Sequence, residues 1–344
     1  MPEERKKKEE SPSVIKKIGK KGIFKALSWL EDSFSGEYEL CYSPTFIIGP
    51  PRSGTTLVRQ LIAWAIPTSY FSNFTRASWD TLGYPLPVMT ARLVKWLGLA
   101  SYSASYESEY GFTPGIGRPV EGGDIWNYYF QTYNAPVEPD QLSPEQRRLI
   151  YQAVAGTERI FDMPFVNKTV DLSVRIRALV QIFPTALFIQ VVRDPLDVAQ
   201  SLLKAHLYDY SDQKFFSTRP REYADLRRKS KVEQVCGQVY YIEKNIAFER
   251  TIVGQDSFLT ASYRDVCENP TRELRRIAKF MNAHGAPARI VRSVPDSFSY
   301  SHGRKVDEAT YLVMAAGLEK LYGQDHDEMH AIKFEVTSND HASH

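Results

Sequence analysis

The sequence predicts an α/β fold, three layers deep, with a central parallel sheet and helices on both faces. Three observations predict it. Short apolar runs rich in β-branched and aromatic residues fall at residues 45–49, 164–169, 186–192 and 257–262, and helical spacing fills the chain between them. The run ALFIQVV at 186–192 is almost continuously apolar, as a strand buried on both faces must be. At Ser43 to Trp64 the sequence SPTFIIGPPRSGTTLVRQLIAW carries a strand, a glycine-bounded turn and a helix start in direct succession. In a sheet of this kind the ligand site lies beyond the carboxyl ends of the strands, on connections with right-handed crossovers.

Composition sets the outer limits. The chain has 344 residues, 43% apolar and 24% charged, ordinary values for a globular protein. A formal net charge of +2 gives no reason to expect nucleic acid as a partner. Cys41, Cys236 and Cys267 are scattered, with neither metal-ligand spacing nor an even set for disulfides, which points to a reducing compartment. No apolar run approaches the roughly 18 residues of a membrane span. The N-terminus is charged and lacks the apolar segment of a signal peptide, so the expected location is cytoplasmic. The expected organisation is a basic N-terminal arm at 1–40, one domain at 41–322 with a substrate-facing insertion at 67–142, and a polar tail at 323–344. Oligomeric state is not encoded in any pattern we recognise.

Taken in order, residues 14–30 place Val14, Ile15, Ile18, Phe24, Leu27 and Leu30 among lysines. Such a basic amphipathic stretch suits either peripheral contact with a membrane surface or packing on the domain edge. After the first strand, turn and helix, residues 88–99 read as an amphipathic helix. Tyr106 to Asn134, including GRPVEGGDIW at Gly117 to Trp126, is rich in glycine, tyrosine and acids, which suits a substrate-facing wall or a surface loop with buried aromatics. Ser143 and Pro144 supply a cap and a first-turn proline for the next helix. The strand FVNKTV follows, then a helix ending at Pro184, then the strand 186–192. Arg193-Asp194-Pro195 starts a helix with Asp194 as its cap. A long helical stretch at 221–253, the last strand, and helices from Pro270 and Lys305 complete the chain.

The stretch from Ser43 to Trp64 is built to hold an anion, because loop N–H groups and a helix N-terminus converge there. Gly49 and Gly54 have the spacing of the nucleotide loop G-x-x-x-x-G-K-[ST], but Thr55 stands where the lysine belongs and the cation is inside the loop, at Arg52. A kinase needs that lysine near the β- and γ-phosphates. The segment PRSGTT resembles the 5′-phosphosulfate loop of sulfotransferases that use 3′-phosphoadenosine 5′-phosphosulfate (PAPS). VVRDPLDVAQS, with Arg193 leaving a strand and Ser201 eight residues on, resembles the 3′-phosphate element of the same enzymes. FVNKT, SYRDVCENP and the serines near 299–301 ahead of Arg304 and Lys305 extend the likeness over about residues 43 to 305.

The resemblance implies a P-loop nucleotide-kinase-like fold and a PAPS-dependent sulfotransferase of bacterial type. It implies PAPS as donor co-substrate, no metal, and an acceptor that is a glycan or glycolipid. The donor-binding set it implies is Arg52, Ser53, Gly54, Thr55, Thr56, Arg193, Ser201, Tyr263, Ser301 and Lys305. Arg52 and Lys168 would stabilise charge during in-line transfer, since such chemistry depends on positioning and electrostatics. The base is not given by carry-over: Val170 stands where the cytosolic enzymes have histidine, and Asn73-Phe74 where tyrosylprotein-type enzymes have glutamate. Glu121 and Asp124 are the first candidates, Asp171 and His206 the next. Two other readings fit less of the pattern: a nucleotide-binding scaffold without catalysis, and an ATP-dependent kinase.

Overall fold

A computed structural model describes residues 37–100, 115–209 and 215–323, with scattered positions between 22 and 31. The tail from 324 onward, and most of the stretch at 14–30, lie outside the described residues. The strands are β1 (Thr45–Ile48), β2 (Val166–Lys168), β3 (Leu187–Val192) and β4 (Phe258–Ser262), all parallel in the order β2-β1-β3-β4. Each falls inside the run that predicts it. The helices are α1 (Thr55–Ala65), α2 (Asn73–Leu82), α3 (Pro87–Trp96), α4 (Gly123–Phe130), α5 (Pro144–Phe161) and α6 (Ile176–Ile182). They continue with α7 (Pro195–Asp209), α8 (Lys231–Val253), α9 (Tyr263–Glu268), α10 (Pro270–Ala283) and α11 (Glu308–Gly323), apart from short single turns.

The pleat sorts the strand residues into two cores. Phe46 and Ile48 of β1, Phe188 of β3 and Phe258 of β4 face one side, where Trp126 of α4, Val154 of α5, Leu179 of α6 and Ile242 of α8 cover them. Ile47, Leu187, Ile189, Val191 and Ala261 face the other, against Val58 and Leu61 of α1 and Leu274 and Ile277 of α10. This is the three-layer α/β arrangement the sequence predicts. Phe46 sits at the centre of the first core, with Trp126, Phe183 and Phe188 at ring-centroid distances of 5.9–6.0 Å. Truncating such a side chain costs about 3–5 kcal/mol. A third cluster joins Val198 and Leu202 of α7 to Val235 and Val239 of α8 and Met314 and Leu318 of α11.

Local chemistry sets the boundaries. Ser143 accepts from Gln146 N at 3.1 Å, and Gln146 answers to Ser143 N at 3.0 Å, a reciprocal cap that starts α5 at Pro144. The long helical stretch expected at 221–253 is broken in two. Ser230 and Glu233 form the same reciprocal cap and begin α8 afresh at Lys231. α2 was not foreseen, because its buried positions are Thr75 and Ser78 rather than an apolar stripe. The segment from 67 to 142 contributes to the main core, since Phe71, Trp126, Phe130 and Leu142 all pack in the first cluster.

Candidate active site

The loop after β1 is held open by its backbone. Gly49 has φ +147° and Gly54 φ +103°; a Cβ on Gly49 would meet the Val191 carbonyl at 2.7 Å, and one on Gly54 would enter the Tyr263 ring. Ser173 fastens the loop from below, its hydroxyl accepting from Gly49 N at 3.0 Å and lying 3.1 Å from Gly49 O. Between the glycines, Arg52 takes the left-handed conformation at φ +71°, which costs a non-glycine residue about 1–2 kcal/mol. Ser53 is fully buried, and its Oγ has no hydrogen-bond partner among the described residues. α1 then starts with no side-chain cap and no acid in its first turn, which leaves its N-terminal field available to an anion.

The second cationic position comes from β3. Arg193 leaves the end of that strand, and Asp194 caps α7 by accepting from Asp197 N at 2.9 Å. Ser201, two turns along α7, accepts from Arg52 Nε at 3.1 Å, so the two predicted phosphate elements touch. The Arg193 guanidinium donates to the Arg52 carbonyl at 3.2 Å and to the Ser301 carbonyl, and lies 4.5 Å over the Tyr263 ring. Its Nε is buried and has no hydrogen-bond partner among the described residues. A cavity of about 630 Å³ opens between these elements, lined by Arg52, Gly54, Thr55, Thr56, Glu121, Lys168, Arg193, Ser201 and Tyr263 among others. Ser53, buried within the loop, does not line that cavity. Ser301 and Lys305 do not line the cavity, and Phe298 and Ser299 take that wall instead.

Lys168, at the end of β2, is buried and ion-paired with Glu121. Burial lowers its pKa, with Glu121 opposing and the Arg59 and Arg52 charges adding to the depression. Glu121 is placed through its backbone: its carbonyl accepts from Thr169 Oγ1 and, at 3.4 Å, from Asn167 Nδ2. Asn167 Oδ1 in turn accepts from the Trp126 indole at 2.9 Å, which ties the site to the aromatic core. Thr56 Oγ1 is 3.5 Å from the Glu121 carboxylate. Buried Arg59, whose pKa burial also lowers, donates to Pro119 O at 2.9 Å and fixes the chain just before Glu121.

A second cavity, about 220 Å³, adjoins the first and shares Glu121, Val170 and Ser217 with it. Asn73, Arg76, Asp124, Tyr133, Asn134 and Asp171 complete most of its lining. Asp124 therefore belongs to this second cavity, where it pairs with Arg76 at 3.8 Å. Asp171 is buried and accepts from Thr218 Oγ1 at 2.6 Å; burial raises its pKa and Arg175 opposes. His206 is in neither cavity, and the structure removes it from the candidate bases. It is packed against Phe215 and Phe216, its Nε2 accepts from Phe216 N at 3.3 Å, and burial pushes its pKa down to about 4. Sequence reasoning missed Arg59, Ser173, Ser217 and Thr218. The loop-fastening role of Ser173 had no local signal, since it acts 124 residues from Gly49.

Fold and cavity together place two cationic elements, the loop with Arg52 and the strand end with Arg193, around one cavity beside a buried lysine–glutamate pair at the carboxyl end of a parallel sheet. A profile described as the sulfotransferase family matches residues 44–284, and the chain belongs to that family. The omega-hydroxy-beta-dihydromenaquinone-9 sulfotransferase Stf3 of Mycobacterium bovis is 24% identical over 258 residues, 68% of this chain and 61% of that protein. The Mycobacterium tuberculosis protein of the same name matches equally. The chain thus spans 61% of the length of these curated relatives. Among solved structures, sulfotransferase STF9 from Mycobacterium avium has a TM-score of 0.49 at 14% identity, over 89% of this chain and 75% of that one. Sulfotransferase STF1 from Mycobacterium tuberculosis H37Rv has a TM-score of 0.46 at 11% identity, over 75% of this chain and 72% of that one. Among the described residues no helix is long and apolar enough to cross a membrane.

Proposed function

We propose that the protein transfers a sulfuryl group from PAPS to an acceptor hydroxyl, with the donor in the larger cavity and the acceptor in the smaller. The observation that carries this reading is the meeting of the loop at 49–56 with Arg193 and Ser201 around one cavity that ends at the Lys168–Glu121 pair. The residues present fit the donor. Arg193 Nε is a buried donor with no hydrogen-bond partner among the described residues, α1 presents an uncapped N-terminus, and Arg52, Thr55, Thr56 and Ser201 line the same cavity. The first-turn groups of α1, from Gly54 to Thr56, would hold the 5′ end. Arg193 and Ser201 would hold the 3′-phosphate, a task to which a guanidinium brings bidentate geometry. Tyr263 would face the adenine, with Ser301 and Lys305 supporting that side through the Arg193 contact.

When bound, the donor supplies the sulfuryl group and departs as the bisphosphate. Arg52 and Lys168 supply fixed positive charge where negative charge develops. Glu121 stands where the two cavities meet and takes the acceptor proton on its carboxylate, with Lys168 fixing the orientation of that carboxylate. Asp124, farther from the donor cavity, hydrogen-bonds the acceptor instead of taking its proton. The amides of Asn73 and Asn134, the Asp124 carboxylate and the Tyr133 ring suit a polyhydroxylated, glycan-like acceptor. A lipid alcohol is the second reading, favoured by the name of the Mycobacterium relatives. The free thiols at Cys41, Cys236 and Cys267 fit a cytoplasmic setting.

Incubation of the full chain with PAPS and a panel of sugar and lipid alcohols, with mass spectrometry of the products, tests the proposal. A sulfated sugar supports the first acceptor and a sulfated lipid the second. No product, with no calorimetric binding of 3′-phosphoadenosine 5′-phosphate (PAP), overturns the donor reading.

A further inference from the structure

Asp197 is a buried carboxylate that the chemistry above does not use. It lies four residues beyond Arg193 in the first turn of α7, is 1% exposed, and does not line the donor cavity. Its contacts come from a segment more than a hundred residues later. His302 Nδ1 is 2.7 Å from Oδ2, Gly303 N donates to Oδ1 at 3.1 Å, and Lys305 Nζ is 3.5 Å from Oδ1. One turn along the helix, Gln200 continues the same attachment: its Oε1 accepts from Lys305 N at 2.6 Å and its Nε2 donates to Gly303 O at 3.3 Å.

The segment so held has no helix or strand of its own between α10 and α11; a backbone bond from Phe298 N to Cys267 O at 2.7 Å anchors its start, and the side-chain contacts of Asp197 and Gln200 hold the stretch beyond it. It touches the donor site at two places. Phe298 and Ser299 line the cavity. The Ser301 carbonyl accepts from both Arg193 and Lys305 Nζ, the latter at 3.2 Å. A row of rings makes a third connection: His302 is stacked on Tyr300 at 5.6 Å, Tyr300 meets Tyr263 at 5.7 Å, and Arg193 lies over Tyr263. Lys305 feels both charges, since burial and Arg193 lower its pKa while Asp197 raises it.

We infer that Asp197, assisted by Gln200, is a latch that holds residues 298–305 beside the donor cavity and thereby positions Arg193 for the 3′-phosphate. The latch works through the Ser301 carbonyl and the Tyr300–Tyr263 pair, and Asp197 itself touches no ligand. A carboxylate withdrawn from water is strongly destabilising when left unpaired, so the segment and Asp197 hold each other in place. The inference rests on the donor reading proposed above.

Two measurements on the full chain separate the latch from that reading. The first needs no ligand: amide hydrogen exchange at Gly303 and Lys305. Asp197→Ala is expected to speed both amides, and unchanged exchange overturns the latch whatever the protein binds. The second is calorimetry with PAP and with AMP, which lacks the 3′-phosphate. Loss of a charge-positioning contact is expected to weaken PAP by about tenfold while AMP changes by less than about twofold. Equal weakening of the two ligands, or of neither, overturns the positioning role. A parent protein that binds PAP no tighter than AMP overturns the donor reading, and the exchange arm still decides the latch. Should Asp197→Ala fail to fold, Gln200→Ala removes two of the contacts and leaves the buried carboxylate paired. It should give the same split between PAP and AMP at a few-fold, and its absence there counts equally against the inference.

Discussion

The two cavities differ in how much of each is built locally. The larger has a local nucleus, one loop between β1 and α1 and one strand end with the helix that starts three residues later, which Glu121, Lys168, Tyr263 and Phe298 complete from elsewhere. The smaller is assembled from distant parts throughout. Asn73 and Arg76 come from α2, Glu121 and Asp124 from around the start of α4, Asp171 from the turn after β2, and Ser217 from the loop before α8. A local nucleus at the carboxyl ends of β1 and β3 is tied to the sheet itself, whereas a wall assembled from loops can be altered piece by piece without disturbing the sheet.

Perturbing each side separately should break or sharpen that contrast. The largest effect is expected from Glu121→Gln, which removes the carboxylate proposed as proton acceptor at the junction. Turnover should fall by about 10²–10⁴-fold with PAP affinity little changed. Unchanged turnover would remove Glu121 as the base and return Asp171 to consideration. Next comes Arg193→Ala, which should weaken PAP by roughly a hundredfold in calorimetry through the loss of charge-assisted hydrogen bonds. If the variant bound as well as the parent, the second phosphate position would be misplaced.

Gly54→Ala tests the cradle itself. The new Cβ would enter the Tyr263 ring at a backbone angle of φ +103°, so denaturant melts should show a loss of about 1–3 kcal/mol, together with weaker PAP binding. The smallest expected change lies outside both cavities. Glu158 accepts from Cys41 N at 2.6 Å and Tyr42 N at 3.2 Å just ahead of β1, and burial pushes its pKa up to about 7 against those two bonds. A raised carboxyl pKa means that the folded state keeps a proton the unfolded chain has lost. Its contribution is therefore fully present below the ordinary value of 4.5 and is lost as pH rises toward 7, at about 1.4 kcal/mol per pH unit across that window. Glu158→Gln should flatten this slope in melts from pH 4.5 to 8, with PAP and acceptor affinities unmoved.

The same contrast explains what the sequence made legible. The four strands were readable because β1 and β3 are buried on both faces and show it as unbroken apolar runs. The loop and Arg193 with Ser201 were readable because each sits within about ten residues of the element that positions it. Glu121 was recognised only as one of several carboxylates. Its partner Lys168 is 47 residues away, and nothing local announces the pair. His206 is a second-rank candidate base in the sequence, and only tertiary packing against Phe215 and Phe216 takes it out of both cavities. α2 was invisible because it buries hydroxyls, with Thr75 Oγ1 and Thr90 Oγ1 2.8 Å apart, where an apolar stripe would have given a period.

Ser173, which fastens the Gly49 backbone, has a consequence for how the molecule is made. β1 lies between two strands that arrive about 120 and 140 residues later, and the loop after it is fastened by a hydroxyl 124 residues downstream. During synthesis the loop therefore leaves the ribosome long before its sheet neighbours and its fastening exist, and long-range parallel pairing is slow to close. Until β2 emerges, the apolar run of β1 has no strand to pair with, and until Ser173 and β3 follow, its second edge and the loop beyond it stay unfastened. The stretch that is easiest to recognise in the sequence thus waits on residues far downstream for its shape.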